Sequence, residues 1–423
     1  MSAPGSNALG LYISIPFCRS KCTYCNFASG VYPASEHTRY VDRLIEDLDA
    51  APAWAVQMGL DLPRTVDTVY LGGGTPSLLA PAEIERLFEA LRGAFEFTAD
   101  AEITVECAPG QIADETLAAL VASGVNRVSL GVQSFIDREA AESGRLHTRA
   151  IVLEDLRKLR AAGIQDLNLD LIAGLAGQTF ASWEQSLEVL VDCGLPHASV
   201  YMLEVDEDSR LGREMLAGGA RYHAGLVPTD DAIAQMYTRA LEVLAAAGLV
   251  QYEISNFSRP GFQSRHNLRY WHRSPYLGLG LDASSMLREV LRTADQGESR
   301  QVLRSTTTSD LTAYLAGPQP VETAWLSPAR QHEEAWFLGL RLNVGVSIDA
   351  IEREFGVAQA EAARRVVQRL ANDGLLQFDE HTVRLTAQGQ LLSNNVFQEF
   401  LELEQEPAME CESLLPVAEV KLA

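Results

Sequence analysis

The amino-acid sequence predicts an α/β protein: a full or partial (β/α) TIM-like barrel followed by a smaller winged-helix-like α+β domain. Three observations predict it. Short β-rich runs alternate with longer amphipathic stretches through the first three-quarters of the chain. The composition shifts near residues 306–320. The 423 residues exceed what one ordinary domain needs and suit a large domain with a second, smaller one.

In chain order, strands are predicted over 11–15, 66–71, 102–107, 127–132, 167–172 and 199–203. Helices are predicted over 40–48, 82–91, 115–122, 151–161 and 183–191. Ile84, Leu87, Phe88 and Leu91 recur at helical spacing. Gly124 and Gly163 stand just past predicted helices, where a left-handed cap is wanted. Such alternation implies parallel strands joined by right-handed crossovers. In a barrel of this kind chemistry gathers at the C-terminal ends of the strands. After the composition shift, helices over 332–342 and 360–373 and a hairpin over 375–378 and 382–385 make the winged-helix-like module. The expected divisions are a barrel domain over 1–305, the second domain over 306–400 and an acidic, disordered tail over 401–423.

Hydrophobic residues make up 47% of the chain, enough for a sizeable core. The 34 Lys+Arg and 57 Asp+Glu give a formal charge of −23. Such a surface repels phosphate backbones, so no nucleic-acid partner is expected. The N-terminus lacks the basic start and apolar core of a signal peptide, and no apolar run is long enough to span a bilayer. A cytoplasmic protein without a transmembrane segment is expected. The six cysteines do not resemble a secreted disulfide framework, because three crowd together and the rest are scattered.

Those three, Cys18, Cys22 and Cys25, lie directly after the first predicted strand with the spacing C-x3-C-x2-C. Thiolates are the usual ligands of 4Fe–4S cubes. Three of them can fill three corners and leave the fourth iron open to chelate a ligand, as an open zinc site holds water. Zinc, or thiols without a metal, are the competing readings. A structural zinc site wants four ligands, and no second Cys or His pair lies nearby; His37 stands alone. The cluster is preferred. Arg19 and Lys21 are expected either to lower the thiol pKa values or to be ordinary surface residues.

This loop resembles the signature of the radical S-adenosylmethionine (radical SAM) superfamily. The pattern Tyr12-x-x-x-Pro16-Phe17-Cys18 resembles its HemN/HemW branch, which contains anaerobic coproporphyrinogen dehydrogenase and heme chaperones. The resemblance runs from Tyr12 to about Phe397. It implies a radical SAM barrel, a 4Fe–4S cluster on Cys18, Cys22 and Cys25, and S-adenosylmethionine chelated to the open iron through its methionine end. One electron from such a cluster splits the sulfonium to give a 5′-deoxyadenosyl radical, while the protein supplies orientation and exclusion.

Leu71-Gly72-Gly73-Gly74-Thr75-Pro76 follows the second strand, where glycines let backbone groups approach a ligand. Read alone it is an ordinary βα turn. Its likeness to the family's GGxTP segment implies cofactor contacts from Gly73, Gly74 and Thr75. Glu106 and Gln133 end the third and fourth strands, Arg145 follows in Gly144-Arg145-Leu146-His147, and Asp170 lies at the fifth. Polar residues at apolar strand ends are caps or ligand contacts. The resemblance implies Glu106 and Arg145 for the charged methionine end, and Gln133 and Asp170 for amide and ribose hydroxyls. It places Tyr12 near the methionine end and Tyr24 near the adenine end. Ala176 departs from the family's Gly-Leu-Pro-Gly-Gln-Thr, a change expected to relax a loop.

Two features sort the branch. Phe27 stands where HemN proteins carry a further cysteine, and Arg265-His266-Asn267-Leu268-Arg269-Tyr270-Trp271 resembles the HNxxYW segment of HemW proteins, which is associated with heme. Imidazole is a common axial ligand of heme iron, so His266 is the candidate ligand and His272 a weaker one. Spacing alone would favour a buried His–Asn pair tying a loop to the barrel. The resemblance implies a heme chaperone that binds heme, passes it to an acceptor such as a heme-dependent respiratory protein, and draws on a reductant such as flavodoxin or ferredoxin. A catalytic radical enzyme of the same branch, a methyltransferase or coproporphyrinogen III oxidase, is the alternative. A DNA-binding regulator is opposed by the acidic balance.

Overall fold

The computed structural model describes residues 8–290, 301–318, 321–401 and 403. The expected acidic tail, with Cys411, lies almost entirely outside them.

Thirteen of the described strands form one sheet. They are β1 (Leu9–Ile15), β2 (Leu60–Asp61), β3 (Thr65–Gly73), β4 (Glu96–Cys107), β5 (Arg127–Gln133), β6 (Asp166–Ala173), β7 (His197–Met202), β8 (Val250–Glu253), β9 (Asn256–Ser258), β10 (Tyr276–Leu279), β11 (Ser284–Glu289), β12 (Val302–Thr306) and β13 (Glu322–Leu326). The six predicted strands are its parallel centre, β1-β3-β4-β5-β6-β7. Helices α1 (Ser35–Met58), α2 (Pro81–Ala94), α3 (Asp114–Ala122), α5 (Arg149–Ala161) and α6 (Phe180–Asp192) make the crossovers, with a short α4 (Asp137–Glu142) before α5. Beyond β7 come α7 (Arg210–Leu216), α8 (Asp230–Ala246) and α9 (Arg265–Trp271). The sheet path ends at β13 on one side and β8 on the other, so the barrel is partial and open.

Period-2 alternation decides what the barrel encloses. In β1, Leu9, Leu11, Ile13 and Ile15 are fully buried and join the apolar layer under the helices. The same holds for Val69 and Leu71, Ile103 and Val105, Val128 and Leu130, and Leu167, Leu169 and Leu171. The alternate residues face inward and are polar: Thr68 and Tyr70, Glu102 and Glu106, Arg127 and Ser129, Asn168 and Asp170. The interior is therefore a hydrogen-bonded lumen, and polar strand-end residues open upward from it.

The C-terminal module continues through α10 (Leu311–Ala316), α11 (Pro328–Gly339), α12 (Ile348–Phe355), α13 (Val357–Asn372), α14 (Ala387–Leu391) and α15 (Ser393–Gln398). A small antiparallel sheet of β14 (Val346–Ser347), β16 (Thr382–Leu385) and β15 (Leu376–Phe378) supplies the predicted hairpin. Trp336 stacks on Phe400 at 5.1 Å in a core that also takes Ile254 from the barrel. The expected division at 305/306 falls inside β12, and the large sheet runs on to Leu326 in β13. No described helix is long and apolar enough to cross a membrane.

Candidate radical SAM site

The loop after β1 is held by backbone pairing. Cys18 N–H donates to Gly30 O at 2.8 Å, Gly30 N–H to Pro16 O at 2.9 Å, and Thr23 N–H to Ser143 O at 3.0 Å. Thr75 N–H reaches Phe17 O at 2.8 Å, locking the loop to the glycine turn after β3. A side chain at Gly74 could not fit: its Cβ would meet Ile15 O at 2.7 Å and Phe17 O at 2.8 Å. Gly73 has φ +91°, the left-handed region that favours glycine.

All three cysteine side chains line one cavity of about 750 Å³. Thr75 Oγ1 donates to Cys18 Sγ at 3.9 Å, and Ser29 Oγ lies 3.9 Å from Cys25 Sγ. Of the two readings of Arg19 and Lys21, lowering of the thiol pKa values or ordinary surface residues, the first is at most a small effect. Burial pushes Cys18 and Cys25 up, and Lys21 offsets Cys25 only slightly while donating to Phe27 O at 3.0 Å.

The same cavity is lined by Tyr24, Gly73, Gly74, Thr75, Glu106, Gln133, Arg145 and Asp170. Glu106 accepts from Tyr70 Oη at 2.8 Å, and burial pushes its carboxyl up to about 7 despite that bond. Gln133 closes β5 with φ 69°, a strained setting for a residue with a side chain, and its buried Oε1 has no partner. Arg145 donates to Tyr24 Oη at 3.1 Å, while its buried Nε is unpartnered. Asp170 accepts from Ser129 Oγ at 3.0 Å and Asn168 Nδ2 at 2.7 Å. Two oppositely charged groups and an orphaned amide thus face one space beside three thiols.

Residues 12–190 match the radical SAM superfamily, and residues 326–392 match the HemN C-terminal domain. The chain is 33% identical to the heme chaperone HemW of Lactococcus lactis over 92% of its own length and 96% of that protein. Against the heme chaperone HemW of Bacillus subtilis it is 33% identical, over 92% and 98% of the two chains. The chain belongs to the HemW family of radical SAM proteins. The Escherichia coli coproporphyrinogen III oxidase HemN shares the fold, with TM-score 0.77 and 25% identity over 93% of this chain and 90% of that one.

Membership in the HemW family implies a 4Fe–4S cluster and S-adenosylmethionine, and the residues present fit both. Three thiols on one loop supply the donor set. The buried Gln133 Oε1 and Arg145 Nε await partners beside them.

Two predicted residues lie elsewhere. Tyr12 does not line the cavity; it stacks on Tyr70 at 6.3 Å, a layer deeper in the lumen. His266 does not line it either and is fully buried. Its Nδ1 is 2.9 Å from Thr68 Oγ1 and its Nε2 2.9 Å from Tyr270 Oη, so both ring nitrogens are engaged. Its backbone N–H and that of Arg265 donate to the Glu102 carboxylate at 2.9 and 2.8 Å. His272 is exposed at the end of α9. In this structure His266 is a buried anchor between a helix and the barrel.

Sequence reasoning passed over His147, which lines the cavity and bonds Val132 O at 3.2 Å. Burial lowers its pKa to about 4, so it is neutral near pH 7. Its place beside Arg145 was the available signal. Reasoning also missed the roof: Arg341, Asn394 and Phe397 come from the C-terminal module, which no local motif ties to the cavity.

Proposed function

We propose that this protein is a HemW-type heme chaperone, holding a 4Fe–4S cluster and S-adenosylmethionine in the cavity and passing bound heme to an acceptor protein. The observation that carries the reading is the kinship with heme chaperones at 33% identity over nearly full length, joined to an intact set of cavity residues. Cys18, Cys22 and Cys25 would hold the cluster, which supplies one electron to the sulfonium when the cofactor is bound. Glu106, ionised above about pH 7, pairs with an ammonium, and Arg145 pairs with a carboxylate. Gln133 offers its free amide oxygen, Asp170 accepts from hydroxyls, and the Gly73–Thr75 backbone lies open to the ligand. The roof from the C-terminal helices excludes water.

Heme titration of the purified protein, followed by the Soret band, tests the reading. Saturable one-to-one binding is expected; its absence would defeat it. For His266 to bind iron, its Nε2 must first leave Tyr270 Oη. A His266→Ala variant that keeps full binding removes that residue from the proposal, not the chaperone role. The intact site and the HemN likeness favour one second reading, a catalytic enzyme. Anaerobic incubation with dithionite and coproporphyrinogen III is expected to give no decarboxylated product, in keeping with Phe27.

A further inference from the structure

One wall of the cavity is not used by the cluster or by the residues proposed for S-adenosylmethionine. It is built where the barrel is open and the C-terminal module closes it. Ile254 N–H donates to Arg341 O at 3.2 Å and Asn343 N–H to Tyr252 O at 3.0 Å, stitching the segment after α11 to the β8–β9 hairpin. Phe337, Leu338 and Phe397 give this wall an apolar surface.

Within it stands an unpaired cation. The Arg341 guanidinium lies over the Trp271 ring, 4.3 Å from its centroid, and 5.8 Å from that of Phe397. It makes no ion pair and no side-chain hydrogen bond among the described residues, and its Nε is buried without a partner. Trp271 is 3% exposed, and its indole N–H is likewise orphaned. Burial pulls the Arg341 pKa down, and the nearby Glu253 and Glu204 carboxylates oppose that shift without bonding to it. Glu204 is engaged by Asn394 Nδ2 at 3.4 Å, and Glu253 Oε1 by the Asn256 side chain, while Glu253 Oε2 is buried without a bonded partner. A half-buried guanidinium stacked on an indole and bonded to no carboxylate among the described residues, beside apolar side chains, suits a ligand with a planar hydrophobic body and a carboxylate edge.

We propose that this wall is the tetrapyrrole site: Phe337, Leu338 and Phe397 receive the macrocycle, and Arg341, positioned by stacking on Trp271, pairs with a ligand carboxylate. The proposal rests on the heme-chaperone reading and deepens it. It assigns the role of the HNxxYW-like segment in the cavity to Trp271.

The test compares two probes, iron mesoporphyrin as its diacid and as its dimethyl ester, titrated into the full-length protein. The wild type is expected to favour the diacid by about tenfold, the worth of one charge-assisted pair. Arg341→Gln should erase most of that preference while leaving ester affinity and S-adenosylmethionine affinity unchanged. Arg341→Lys, which keeps the charge but loses the planar fork, should keep part of it and covers the case in which the glutamine variant fails to fold. A full diacid preference in both variants, or a loss of S-adenosylmethionine affinity instead, would overturn the site while the chaperone reading survives. Saturable binding of neither probe by the wild type would overturn both.

Discussion

Glu106 carries opposing demands. Burial holds its carboxyl at about 7 against an ordinary 4.5, so ionising it opposes folding. A folded pKa above the unfolded one means the penalty is absent below about pH 4.5 and complete above about 7. That shift is worth roughly 3 kcal/mol. Glu106→Gln is therefore expected to raise thermal stability at pH 8, with the gain shrinking toward pH 5. The same charge is what an ammonium would pair with. Wild-type affinity for S-adenosylmethionine should weaken as pH falls through 7, and the glutamine variant should bind more weakly without that dependence. Calorimetry across pH 5.5–8.5 checks both; a wild-type affinity flat across the range would remove Glu106 from the methionine end.

At the scale of elements, α9 is fastened by a buried ion pair. Arg269 and Asp67 have side-chain exposures of 1% and 5%. Arg269 also donates to Ala8 O and Pro275 O at 2.9 Å, and it crowds Gly10 so closely that a Cβ there would lie 2.4 Å from its Cδ. Asp67→Asn leaves the guanidinium buried without its counter-charge and is expected to cost about 3–5 kcal/mol, read as a drop in urea midpoint. His266→Ala should cost about 2 kcal/mol or more, because Thr68 and Tyr270 lose a buried partner. The HNxxYW-like segment was legible as a motif, but not which of its residues meets the cavity. Helical geometry supplies the reason. Residues 266 and 270 are four apart and share a face, against β3, whereas 271 is turned about 140° from 266. The parallel strands and their polar ends were legible because motif and strand end are neighbours in sequence. The β11–β13 extension was not, since short, partly polar antiparallel strands leave no strong periodic signal. Helix α1 runs to Met58, past the predicted 48, with Pro52 inside it, because packing outweighs one lost hydrogen bond.

Across the whole molecule, the open side of the barrel is what the C-terminal module closes. Its helix-and-hairpin shape suggests DNA, but a formal charge of −23 on the chain opposes a phosphate backbone. No salt-sensitive gel shift with duplex DNA is expected at about 0.15 M ionic strength; a shift that weakens as salt rises would reverse that view. The roof was illegible in the sequence because it joins Arg341 and Phe397 to strand ends more than a hundred residues earlier, through contacts that only the tertiary fold creates.

The central claim is that three thiols beside the Gly73–Thr75 turn hold a cluster with one iron open to S-adenosylmethionine. Anaerobic reconstitution with iron and sulfide, followed by electron paramagnetic resonance of the reduced protein with and without S-adenosylmethionine, tests it most directly. The account predicts about four irons per chain, a signal that changes when the cofactor is added, and neither in a variant with Cys18, Cys22 and Cys25 all replaced by alanine. Iron uptake that survives the triple replacement, or a signal indifferent to the cofactor, would contradict it.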